Sequence, residues 1–266
     1  MKKISVIIPT YRPESYLMEC IHSIEKQTLN SLDYEILIIL NGEKEPYYTE
    51  IEKYIVGKKN HKLYYTEKLG VSNARNIGIK ESKNRYLCFI DDDDFISENY
   101  LENLLKDSDE NSILVSNLLT IKQVDNRYEF GEDYVTRAFK LKTKSESNDL
   151  FEMRKFLSNA CGKIIPKKII NEVKFDENFK TGEDSLFMCE ISKNIKNIRT
   201  TGEDTVYYRR IRDNSASRKK RTKNEEIDNC KKLIRKYLKM LMNEKYRKKF
   251  IISRIVATMK KYLLSY

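Results

Sequence analysis

Three short runs of β-branched and large apolar residues constrain this chain most: Ile4–Ile8 (ISVII), Ile36–Leu40 (ILIIL) and Tyr86–Ile90 (YLCFI). Each is apolar at successive positions, so each must be covered on both faces, which suits inner strands of a largely parallel sheet. Between them lie stretches with helical spacing. Ser15 heads a helix with Leu17, Cys20, Ile21 and Ile24 on one side. Further helices are expected around Tyr47–Val56 and from Ser72 to Lys80, with a short strand at Lys62–Thr66 between them. Strands alternating with helices define an α/β fold with a mixed, mostly parallel sheet flanked by helices. In such sheets ligands bind beyond the carboxyl ends of the strands. Here those ends are Pro9-Thr10-Tyr11, Asn41-Gly42-Glu43, Gly70–Asn76 and Asp91–Asp94. No G-x-G-x-x-G or G-x-x-x-x-G-K-[ST] occurs there, so neither a dinucleotide nor a P-loop nucleotide site is supported.

The end of the YLCFI strand holds four adjacent carboxylates, Asp91, Asp92, Asp93 and Asp94. Such a cluster repels itself unless it is solvated or neutralised by a cation. All-oxygen donors favour a hard ion, Mn²⁺ or Mg²⁺, which completes its shell with water and phosphate oxygens. An acidic turn capping the next helix is the plainer alternative. A zinc site is nearly excluded, since His22 and His61 are the only histidines. Five scattered cysteines without a CxxC pair read as reduced thiols of a cytoplasmic protein. Cys161 is expected to be packed and not nucleophilic.

Charge is unevenly placed. From Arg218 onward there are 17 Lys or Arg against four Asp or Glu, while the preceding residues hold 34 against 36. A near-neutral body of residues 1–217 therefore precedes a basic amphipathic helical extension, 218–266. Its apolar stripes are Ile227, Cys230, Ile234, Leu238 and Leu241, then Phe250, Ile251, Ile255, Met259 and Leu263. These read as packed faces, with the basic faces turned to an anionic membrane surface or simply solvated. The longest apolar run, Phe250–Met259, contains Arg254 and is too short to span a bilayer. The N-terminal apolar run stops at Pro9, too short for a signal peptide. Residues 112–165 are less legible: a strand is expected at Ser112–Thr120, Tyr128–Lys140 is polar and Tyr-rich, and Lys142–Asp149 reads as a loop.

SVIIPTY (Ser5–Tyr11), EILIILNG (Glu35–Gly42), GVSNARNIG (Gly70–Gly78), YLCFIDDDD (Tyr86–Asp94) and TGEDSLF (Thr181–Phe187) occur in one order. Over residues 4 to 210 the chain resembles glycosyltransferase family 2, whose fold is GT-A. The resemblance implies an inverting enzyme using a nucleotide-diphosphate sugar, with UDP as the expected nucleotide and Mn²⁺ or Mg²⁺ as cofactor. Its acceptor would be a glycan or lipid-linked hydroxyl in bacterial surface polysaccharide synthesis. Pro9, Thr10, Tyr11 and Asn41 would line the nucleobase pocket, and Arg75 would lie beside the nucleotide. Asp91 and Asp92 would face the donor, Asp91 near ribose, and Asp93 would hold the metal. Asp184 resembles the catalytic base, with Glu183 beside it.

Two departures stand out. An acidic pair common in the family at the end of the second strand is replaced by Leu40 and Asn41, and a metal-binding His after the last strand is missing. Arg209, Arg210 or Arg212 then become candidates for the diphosphate, since a guanidinium matches phosphate oxygens. The absence of Q-x-x-R-W and of any Trp disfavours a processive polymer synthase. The competing reading is a non-catalytic nucleic-acid-binding protein using the basic tail, which the acidic cluster opposes. Nucleic acid is therefore not an expected partner, and the oligomeric state is not legible.

Overall fold

The computed structural model describes residues 3–125, 127–212 and 222–264. Its first half alternates as the sequence predicts. Strand β1 (Ile4–Thr10) leads to helix α1 (Tyr16–Glu25), β2 (Tyr34–Asn41) to α2 (Tyr47–Ile55), and β3 (His61–Thr66) to α3 (Val71–Glu81), followed by β4 (Tyr86–Phe89). A two-residue strand β5 (Phe95–Ile96) and helix α4 (Tyr100–Asp107) come next. The expected strand at Ser112–Thr120 is in fact two, β6 (Ser112–Val115) and β7 (Asn117–Val124), which enter different sheets at Ser116. The Tyr-rich stretch forms β8 (Arg127–Gly131) and α5 (Tyr134–Lys140), and the expected loop contains the short strand β9 (Glu146–Ser147). Then follow β10 (Lys163–Pro166), α6 (Lys167–Ile170), α7 (Glu183–Ile191), β11 (Asn197–Thr200), β12 (Val206–Arg210), α8 (Lys223–Leu241) and α9 (Lys248–Leu264).

Eight strands form the main sheet in the order β3-β2-β1-β4-β10-β6-β11-β9. All run parallel except β10 and β9, whose neighbours pair with them antiparallel. β1 and β2 are buried along their whole length, which is why their sequences are apolar apart from Ser5, which donates to Glu35 of β2 at 2.6 Å, and Thr10 and Asn41 at their ends. A second sheet, β5-β12-β7-β8, stands beyond β4. Because β10 is reversed, the turn that precedes it lies at the same end of the sheet as the residues that follow β1 and β4. That one reversal adds a further loop to the ligand end.

Behind this end sits an aromatic cluster. Phe175 and Phe187 stack at 3.9 Å and 9°, and Phe89 meets both edge-on. It ties α7 to β4 from beneath.

The C-terminal helices pack against α7. Gly182, at φ +82°, lets Leu233 approach so closely that an added Cβ would lie 2.7 Å from it. Ser185 Oγ pairs with the Tyr237 hydroxyl at 3.1 Å and accepts from Arg254 at 2.5 Å. The buried line of α8 runs through Leu233, Tyr237 and Met240, one position off the stripe read from sequence. Leu238, expected to pack, is exposed. The tyrosine's need for a buried hydroxyl partner explains the rotation. In α9, Phe250 and Ile251 are buried, whereas Met259 is exposed. The expected boundary at 217/218 lies outside the described residues, as does the side chain of Leu263. Among the described residues no helix is long and apolar enough to cross a membrane.

Truncating the stack in Phe187→Ala should cost about 3–5 kcal/mol. Urea denaturation checks this; a cost below about 1 kcal/mol would show that the cluster does not secure α7.

Candidate active site

The acidic run does four different jobs. A turn closed by the Asp94 N–H to Asp91 C=O bond (3.1 Å) follows β4 and points the carboxylates apart. Asp94 faces inward, where its carboxylate accepts from the Tyr207 hydroxyl (2.6 Å) and the Arg210 N–H (2.8 Å). Burial pushes its carboxyl up, and these two donors oppose that. Tyr207 also receives the Asp91 N–H at 3.2 Å, so one buried phenol fixes both ends of the turn. Arg210 braces it from outside, donating to the Asp93 C=O at 2.9 Å and pairing with Glu19.

Asp92 accepts from Thr10 Oγ1 at 2.6 Å, joining the ends of β1 and β4. Its burial pushes the carboxyl up to about 7, more than the Thr10 bond lowers it. Asp93 forms a 2.6 Å ion pair with Arg212; burial and neighbouring Asp91 raise its carboxyl, and the guanidinium counters them. Asp91 is the most open of the three and is held at 2.8 Å by Arg75.

Arg75 is the hinge pin of the site. It is buried on α3 over the Phe175 ring, one Nη at 2.8 Å from Asp91 and the other at 2.5 Å from Asp184. It thereby joins two acidic segments over 90 residues apart in sequence. Glu183 Oε1 lies 3.9 Å from the same guanidinium. Burial, then the charge of Asp184, push the Glu183 carboxyl up to about 7, with Arg75 opposing. The second oxygen of Asp184 accepts from the Ala160 N–H at 3.2 Å. Both acids lie in the first turn of α7, where the helix dipole favours negative charge. The cap position itself is Gly182.

Tyr11 follows β1 with 43% of its surface exposed. Gly42, at φ +87°, leaves room for the ring; a Cβ there would stand 2.9 Å from it. Asn41 is buried between two loops: its amide donates to the Thr10 C=O (2.7 Å) and accepts from the Gly70 N–H (2.9 Å). Its side chain thus clasps backbone. Tyr11, Pro13, Tyr16, Asp92 and Arg212 border one small cleft. Arg209 sits apart, its guanidinium on Asp133 at 2.7 Å, the residue that caps α5. Pro9 is buried within β1.

The structure therefore gathers Thr10, Arg75, Asp91, Asp92, Asp93, Glu183, Asp184 and Arg212 at one sheet end, while Arg209 supports the second sheet. Tyr207, Arg210 and the Ala160 N–H also belong here. Their pairings across more than 20 to more than 110 residues leave no local sequence pattern. Among the described residues, no three His, Cys, Asp or Glu side chains converge as a closed metal cage. An oxygen-only site with one directed carboxylate fits Mn²⁺ or Mg²⁺ when a substrate's phosphates furnish the other donors.

Comparison with known proteins agrees with this geometry. The model of the family described as Glycosyl transferase family 2 matches residues 5–173, and the chain belongs to that family. The minor teichoic acid biosynthesis protein GgaB of Bacillus subtilis is 32% identical over 219 residues, 80% of this chain and 23% of that protein. The poly(ribitol-phosphate) beta-N-acetylglucosaminyltransferase TarP of Staphylococcus aureus is 33% identical over 222 residues, 82% of this chain and 65% of TarP. The chain thus spans less than two thirds of either relative. The crystal structure of S. aureus TarS 1–349 in complex with UDP-GlcNAc superposes with a TM-score of 0.79 at 22% identity, covering 97% of this chain and 73% of that one. The chain has the GT-A fold that its sequence motifs imply.

Raised carboxyl pKa values make the site a pH-dependent liability. Asp92 and Glu183 bind protons more tightly folded than unfolded, so their contribution is fully favourable below about 4 and is lost as pH rises through about 7. Asp92→Asn keeps an acceptor for Thr10 and removes that charge. We expect ligand-free Asp92→Asn to gain about 1–3 kcal/mol at pH 8 and little at pH 4. Urea titrations at both pH values check this, and equal gains at both would refute it.

Proposed function

We propose that this member of glycosyltransferase family 2 is an inverting transferase that moves a sugar from a UDP-sugar to a hydroxyl of a glycan or lipid-linked acceptor in bacterial surface polysaccharide synthesis. One observation carries the reading: Arg75 grips Asp91 with one nitrogen and Asp184 with the other. An acidic donor side and a separate carboxylate are thereby held at a fixed spacing. Displacement at an anomeric carbon requires this, since the hydroxyl must lose its proton on one side while diphosphate departs on the other.

In this mechanism Tyr11 offers an aromatic face to the base, and Asp91 and Asp92 line the ribose and diphosphate side. Asp93 would hold Mn²⁺ or Mg²⁺, which when bound neutralises charge on the departing diphosphate. Arg212, already on Asp93, is placed to move onto phosphate oxygens. Asp184 takes the acceptor proton. Its bonds to Arg75 and to the Ala160 N–H take up one acceptor position on each oxygen and fix the orientation of the carboxylate. Glu183 adds negative charge beside it. TarP and TarS are named for N-acetylglucosaminyl transfer to poly(ribitol phosphate), and TarS was captured with UDP-GlcNAc. These relatives support a hexosyl or N-acetylhexosaminyl donor on UDP for this chain.

Residues 218–266 supply the membrane-facing part of the proposal. On α9, Ile252, Val256 and Met259 are exposed at helical spacing, flanked by Lys248, Lys249, Lys260 and Lys261. Apolar side chains between lysines suit the headgroup layer of an anionic bilayer. Phosphatidylglycerol vesicles should sediment the protein, and the Lys260→Glu, Lys261→Glu pair should weaken this by about tenfold or more, at about 1 kcal/mol per lysine. Equal sedimentation with phosphatidylcholine would count against it.

The catalytic assignment has a direct test. Asp184→Asn should lower the turnover of UDP-GlcNAc or another UDP-sugar by about 10²–10⁴-fold while leaving UDP binding within a few-fold. Asp93→Ala should abolish the gain in UDP affinity that Mn²⁺ confers. Wild-type turnover in Asp184→Asn, measured by UDP release, would remove Asp184 from the role of base.

A further inference from the structure

Lys163 is the least exposed cation among the described residues, at 1%, and the proposed chemistry gives it no task. Its ammonium hydrogen-bonds no carboxylate, although the negative charge of Asp184 lies near enough to favour its charged form. Its ammonium donates to the Asn159 C=O at 2.7 Å, the Asn159 side-chain oxygen at 2.7 Å and the Cys161 C=O at 2.6 Å. All three donors are spent on the turn before β10. Burial lowers its pKa to about 8, so holding a cation here opposes folding. An apolar side chain would avoid that cost, but it would leave the three oxygens without their lysine.

The Asn159 C=O belongs to the same peptide unit as the Ala160 N–H. In a trans peptide these two groups point in opposite directions. The ammonium therefore sits at one pole of this unit, and Asp184 Oδ2 sits at the other, 3.2 Å from the nitrogen. A cation on the carbonyl oxygen draws electron density from the amide and strengthens its N–H as a donor. The Cys161 bond holds the 161–162 peptide, two units further along the turn. From the far side, Gly162, at φ +71°, accepts at its carbonyl from the Ser116 N–H (3.0 Å) and hydroxyl (3.1 Å). The Ala160 peptide is thus fixed in orientation by neighbours before and behind it.

We propose that Lys163 is a positioning residue for the transfer reaction, acting through the Asn159–Ala160 peptide to orient and polarise the N–H that holds Asp184. This deepens the reading of Asp184 as the base and rests on it. The lysine touches neither substrate nor the reacting atoms. It sets the plane of one amide, and that amide, together with Arg75, sets the rotamer of the carboxylate.

The test compares Lys163→Met, which keeps the length and apolar stem, with Asp184→Asn and the wild type. Three quantities are read: the Ala160 amide proton shift in ¹⁵N-labelled protein, UDP affinity by calorimetry, and UDP release from UDP-GlcNAc. In Lys163→Met the Ala160 amide proton should move upfield, and release should fall by about tenfold or more with UDP affinity within about twofold. An unmoved Ala160 resonance would overturn the proposal, as would wild-type release or an equal loss of affinity and rate. Should Lys163→Met not fold, Lys163→Gln keeps a hydrogen-bond donor for the turn and removes the ammonium charge from the Asn159 C=O. The same upfield movement and a drop of about threefold in release support the proposal; an unchanged resonance and rate overturn it. Wild-type release in Asp184→Asn is a separate outcome, which would defeat the base assignment itself while the Ala160 shift still reports on the lysine.

Discussion

The geometry of the site depends on a single buried guanidinium. Arg75 lies under the cleft with its plane over Phe175, and its two terminal nitrogens hold carboxylates from β4 and α7. A buried arginine is costly unless its charge is matched, and here Asp91, Asp184 and Glu183 surround it. The cluster remains net acidic. Burial first, and that surplus second, drive Glu183 toward neutrality, while Asp91 and Asp184 are tied directly to the cation. Lysine in this place would offer one nitrogen to two acids on different elements. The planar fork sets their separation as well as their charge.

Much of this was legible in the sequence. Inner strands betray themselves because burial on both faces favours runs of apolar residues, as in ILIIL and, apart from Ser5, ISVII. Four aspartates after such a strand indicated the ligand end of the sheet. Division of labour within those four was not legible. Asp94 becomes a core residue only because Tyr207, more than a hundred positions away, meets it there. Asn41 reads as a polar residue facing a ligand, yet its amide is occupied by two backbone groups from separate loops. Lys163 looks like an ordinary charge in an Ile-rich strand. Two of its three acceptors are backbone oxygens, which have no signature in the residue types. The tail illustrates another limit: several faces of α8 are apolar, and the one buried is chosen by Tyr237 meeting Ser185.

The contact of α8 and α9 with α7 links the extension to the cleft. Leu233 presses on Gly182, immediately before Glu183 and Asp184, and Arg254 and Tyr237 both bond Ser185, immediately after them. The two acids are therefore bracketed by residues that the C-terminal helices hold. Side chains of α8 and α9 pack directly against the first turn of α7. The basic extension is thus part of the support of the site as well as a charged surface.

The ion pair between Asp93 and Arg212 has a consequence for the order of events at the cleft. With a guanidinium seated on it, the turn after β4 carries its own counterion and is screened from stray dications. If Asp93 holds the ion as proposed, a dication alone would have to evict a tethered competitor, whereas one accompanied by diphosphate would bring oxygens able to receive the displaced arginine. Binding at Asp93 would then be an exchange of salts that favours the chelate over either of its parts.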